Sequence, residues 1–157
     1  MGRIPTVDAL LKRNCYNGED MCVLCEERPE TADHLFCSCY VAAVLWNRVS
    51  LWFKISPIYA FLVKDLLEIY KYAGLKKHEE DIMHGIIMVG CWILWKRRND
   101  IRFSGISVDI ALQVVFMTPL APVRGSISPI LTMAAAVRSD ANLLRLLSYT
   151  HTHNAIS

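Results

Sequence analysis

The feature that most constrains this chain is a set of four metal-type side chains, Cys22, Cys25, His34 and Cys39, crowded into one short stretch. The segment Cys22-Val-Leu-Cys25 is expected to turn tightly, so that both sulfurs emerge on one side. His34 and Cys39 then complete a tetrahedron from the other side, a set suited to Zn2+, which accepts sulfur and nitrogen together without geometric preference. Three thiolates and one imidazole leave no position for water, so the site reads as structural and the ion as a source of folding energy. Cys37 rivals Cys39 on spacing alone. A lone Cys-x-x-Cys also fits a redox pair, but the added histidine and cysteine favour a metal. Thr31 is placed to cap a short helix that presents His34, with Glu30 or Asp33 as acceptors for the second imidazole nitrogen.

Six cysteines raise the alternative of a disulfide framework. Four of them crowd between Cys22 and Cys39, and residues 1–13 show no secretory signal, so reduced, metal-binding thiols and an intracellular location, nuclear or cytoplasmic, are expected. The chain has 157 residues, 54 % hydrophobic and 20 % charged, which suits one ordinary domain with a real core. The net charge of +2 implies no global pull on nucleic acid, so any basic patch must be local. The most apolar stretch, 82–95, is interrupted by His84 and is too short to span a membrane, which needs about 20 residues.

Helical periodicity dominates elsewhere. A short helix is predicted over 6–13. Ala42, Leu45, Trp46, Val49 and Trp52 form one stripe of a second. A third spans Phe61 to Tyr72, with Val63, Leu66, Leu67 and Tyr70 inward and Gly74 as its stop. The longest runs from about Glu79 to Phe103, with Ile82, Ile86, Val89 and Ile93 on its apolar stripe. One more is predicted over Val108 to Phe116, with Ser107 as its cap. The fold expected is mainly α: a small zinc knuckle (1–56), a helical extension with a tryptophan-rich basic helix (57–117), then a linker and a poorly ordered, partly helical tail (118–157).

The run from Arg3-Ile-Pro-Thr to Lys12-Arg13, then Cys22-x-x-Cys25, Glu30-Thr-x-Asp-His34-Leu-Phe-x-x-Cys39 and Trp46, resembles the plant reverse transcriptase zinc-binding domain of non-long-terminal-repeat retrotransposons. Trp92-Ile-Leu-Trp95-Lys-Arg-Arg-Asn99 resembles the tryptophan-rich segment downstream in such proteins. The resemblance implies zinc on Cys22, Cys25, His34 and Cys39, and it selects Cys39 over Cys37. No Asp-Asp pair is present for magnesium-dependent phosphoryl transfer, so no polymerase activity and no small-molecule substrate are expected.

Lys12, Arg13, Arg28, Lys96, Arg97 and Arg98 are the candidate contacts to RNA or DNA, since Arg and Lys neutralise phosphates. The competing reading makes Lys96 to Arg98 a solvated helix end. A zinc-stabilised protein-interaction module, docking through Trp46, Trp52, Trp92 and Trp95, is the alternative function, and a transposon relic without selected function is another. His84 is expected to be a core or boundary residue. A face shared by His84 and Cys91 carries no oxyanion hole and no orienting acid, so it supports no catalysis.

Overall fold

A computed structural model describes residues 4–105. Four helices follow one another: α1 (Val7–Leu11), α2 (Tyr40–Phe53), α3 (Val63–Glu68) and α4 (Lys77–Ser104). A wide π-type turn, His34–Ser38, leads into α2, and a 3-10 turn, Ile69–Tyr72, extends α3. No strand occurs among the described residues; Met21 and Pro29 form an isolated antiparallel bridge. The mainly helical fold with a cysteine-histidine knuckle near its start matches the expectation. The helix expected over Val108 to Phe116 and the linker and tail of 118–157 lie outside the described residues.

One core runs from Ile4 through the knuckle residues Leu35 and Phe36, along α2 (Ala42, Leu45, Trp46, Val49) and α3 (Val63, Leu66, Leu67), to α4 (Met83, Ile87, Leu94, Trp95). α3 and α4 both pack on the knuckle turn, and α4 packs on α2, within this same core. Asp33 reinforces the join: its carboxylate accepts the backbone N–H of Val63 at 2.9 Å, satisfying an orphan donor in the first turn of α3 from the knuckle side. Ser50 does likewise for the α2–α3 connection, donating to Trp46 O at 2.8 Å and accepting from Ile58 N at 2.9 Å.

The buried face of α4 differs from the expected stripe. Met83, Ile87, Met88, Gly90, Cys91, Leu94, Trp95 and Arg98 are buried; of the expected stripe only Val89 is buried with them, while Ile82, Ile86 and Ile93 flank them half-buried. The face is turned by one residue, about 100° of helix. Gly90 explains the choice. A Cβ there would lie 2.7 Å from the Trp46 ring, so only glycine lets α4 close on the indole. Trp46 cannot yield freely, because its ring N–H donates to Phe36 O at 2.7 Å inside the core.

Candidate metal centre

The knuckle is ordered by backbone contacts that its sequence arranges locally. Cys22 N donates to Arg28 O at 2.8 Å and Glu26 N to Cys22 O at 2.7 Å, closing the tight turn that holds Cys22 and Cys25. Glu30 N donates to Asp20 O at 2.7 Å. On the far side, Thr31 Oγ1 accepts from His34 N at 3.0 Å, capping the turn that presents the imidazole. That turn then widens: Cys39 N reaches back five residues to His34 O at 2.7 Å.

These two turns bring Cys22, Cys25, His34 and Cys39 together, with their ligand atoms all within 4.8 Å of one another. Cys25 Sγ lies 3.2 Å from His34 Nε2, so the imidazole presents Nε2 to the cluster. Zinc–sulfur bonds of about 2.3 Å place tetrahedral sulfurs about 3.8 Å apart, a spacing this cluster reaches with small side-chain shifts. Three soft thiols and an imidazole in a buried pocket fit a tetrahedral, closed metal site. His34 Nδ1 faces Ser38 Oγ at 3.2 Å, the outer hydrogen bond that fixes ring orientation and raises ligand basicity. Ser38 takes the role expected of Glu30 or Asp33; a serine four residues past the histidine on a helical turn was the available signal.

Electrostatics separate the cysteines. The hydrogen bond from Cys39, then the backbone N–H groups of Leu24 and Cys25 and the charge of His34, lower the Cys22 thiol to about 5 against the opposing effect of burial. Cys39 is raised by the same hydrogen bond to Cys22, and then by burial. Cys37 stands outside the cluster; burial and then the carboxylates of Asp33 and Asp65 push it up to about 12, which makes it a poor ligand. Burial also raises Cys91.

Residues 1–46 match the family described as zinc-binding in reverse transcriptase. This segment is similar to a zinc-binding domain of the reverse-transcriptase type. The matched family is a zinc-binding domain and not a polymerase domain, and the match ends within α2 at Trp46. No curated protein and no solved structure matches the chain. The cysteine-histidine cluster, all of it inside the matched segment, makes this a metal-binding module.

The basic candidates divide. Lys12, Arg13 and Arg28 are exposed, Lys12 pairing with Asp8 at 3.2 Å. Lys96 is exposed and pairs with Asp100 at 3.1 Å, while Arg97 is partly buried. Arg98 corrects the expectation: it is fully buried, with its Nη2 2.7 Å from Glu30 Oε1, so its charge is spent inside the molecule and does not meet phosphate. The tryptophan surface is corrected too. Trp46 and Trp95 are buried, and Trp52 and Trp92 are half-buried. Large exposed apolar side chains occur instead at Leu51, Tyr59 and Phe61. Among the described residues, no helix is long and apolar enough to cross a membrane.

Proposed function

We propose that the chain is a zinc-held, nucleic-acid-associated module derived from a retrotransposon reverse transcriptase, without catalysis of its own. The observation that carries the zinc reading is the convergence of three thiols and one imidazole within 4.8 Å. Such a complete ligand set leaves no place for a metal-bound water, which a catalytic zinc keeps. The association with RNA or DNA is supported by the family of residues 1–46 and by the exposed Lys12, Arg13 and Arg28 beside the knuckle. The exposed Lys96 on α4 adds to that charge, whereas Nε and Nη2 of Arg97 are buried and Arg98 is fully enclosed.

Metal analysis of the purified chain tests the zinc reading. One zinc per chain is expected, lost on replacing Cys22, Cys25, His34 or Cys39 by Ala and retained in Cys37→Ala. Zinc retained by the Cys39 variant and lost from the Cys37 variant would overturn the ligand set. A salt titration tests the nucleic-acid reading: affinity should fall with log salt at a slope of about −0.7 to −0.9 per phosphate contacted. The exposed Leu51, Tyr59 and Phe61 favour a second reading, a protein-interaction module, for which binding to its partner would hardly respond to salt.

A further inference from the structure

Two arginines one helical turn apart on α4 hold the two ends of the loop that carries Cys22 and Cys25. Arg102 grips the entry. Its guanidinium donates to Met21 O, the residue before Cys22, and to Glu19 O at 3.2 Å, and it meets Tyr16 Oη at 2.9 Å. Gly18 lets the Tyr16 ring fold over this turn, since a Cβ there would overlap the phenol oxygen. Arg98 grips the exit. Its Nε lies 3.0 Å from both carboxylate oxygens of Glu30, and its Nη2 lies 2.7 Å from Oε1. Both side chains of this pair are fully buried, and the Arg98 guanidinium lies over the rings of Trp95 and Phe103. Glu30 Oε1 also accepts Val7 N at 3.0 Å, tying α1 to the same point, and Thr31, the next residue, caps the turn that presents His34.

We propose that Arg98 and Arg102 are positioning residues of the metal centre: by clamping both ends of the 21–30 loop they preorganise the thiols of Cys22 and Cys25 for the ion. The proposal rests on the zinc reading and extends it beyond the family segment, which ends at residue 46. A loop fixed at both ends binds with less ordering entropy to overcome. Linkage makes the effect mutual, so the bound ion in turn holds the last turns of α4 against the knuckle.

Zinc affinity measured by chelator competition, with hydrogen exchange on the unmodified full chain, tests this. Arg102→Met and Arg98→Met should each weaken zinc binding by about tenfold to a hundredfold, the range for partners that support a ligand shell. Met83→Ala, a core variant remote from the clamp, should leave the affinity of the folded protein unchanged. In the parent chain, chelation should raise amide exchange over 98–104 together with 20–39, while 83–91 stays protected. Arginine variants that bind zinc like the parent, or that lose no more than Met83→Ala, would overturn the clamp. So would unchanged exchange over 98–104 when the knuckle opens. A parent chain holding no zinc would remove the metal reading and the clamp with it, and is recognised before any variant is made.

Discussion

The knuckle and the helical body are built by different forces. Residues 16–39 join the core through Leu24, Leu35 and Phe36, but backbone hydrogen bonds, the converging thiols and the Glu30–Arg98–Arg102 network order the rest of the segment. The body, from α2 to α4, is a packed apolar core around Trp46, Leu66, Met83, Ile87 and Leu94. One region answers to an ion, the other to volume. They meet at polar seams, Asp33 to Val63 N and Glu30 to Arg98, so each region finishes hydrogen bonds the other begins.

The contrast is broken most severely by a change of core volume. Met83→Ala empties a fully buried position and should lower unfolding free energy by about 2–5 kcal/mol in urea, with zinc stoichiometry unchanged. Zinc lost along with stability would merge the two regions into one. Gly90→Ala acts by the opposite route, forcing a methyl against the anchored Trp46 ring, and should cost about 1–3 kcal/mol by the same assay. A neutral result there would mean that α4 slides away from the indole at no cost.

On the knuckle side, Ser38→Ala removes the partner of His34 Nδ1 and should weaken zinc about tenfold, or ~1.4 kcal/mol, without shifting the urea midpoint of the metal-free chain. The smallest effect belongs to the body. Burial lowers the His84 pKa from its ordinary value; Asp81 opposes the shift, and Lys71 and Lys77 assist it. The unfolded chain therefore takes up this proton at higher pH than the folded one. Stability is lost as pH falls below about 6.5, until the folded group titrates as well. His84→Gln should flatten that part of the pH profile in chelator-treated protein, and the stacking of His84 on Tyr70 at 4.6 Å gives a ring shift by which to follow it.

How much of this was legible in the sequence follows from how far apart the interacting residues lie. The helices were visible because their apolar spacing is local: the stripe Ala42, Leu45, Trp46 and Val49 is the buried face of α2. The ligand cluster was visible for the same reason, two turns with a histidine between. The face of α4 was not, because Gly90 looks like a weak helix residue until Trp46, far away in the chain, is laid upon it. Arg98 misled in the same manner. Within Lys96-Arg-Arg98 it reads as a solvated cation, and only Glu30, 68 positions earlier, shows where its charge goes.

The wide turn from His34 to Cys39 fixes chain length as well as residue type. Deleting or inserting one residue inside it would swing Cys39 by about 100° around the turn axis and carry its sulfur off the ion. The side chains of 26–29 face water, but their backbone is tied to the ligand turn: Glu26 N donates to Cys22 O, Arg28 O accepts Cys22 N, and Pro29 bridges Met21. Changes of residue type should therefore be absorbed at 26–29, while a change of length in either turn should weaken metal binding, so that natural variants of this module would differ in side chains there and keep both spacings.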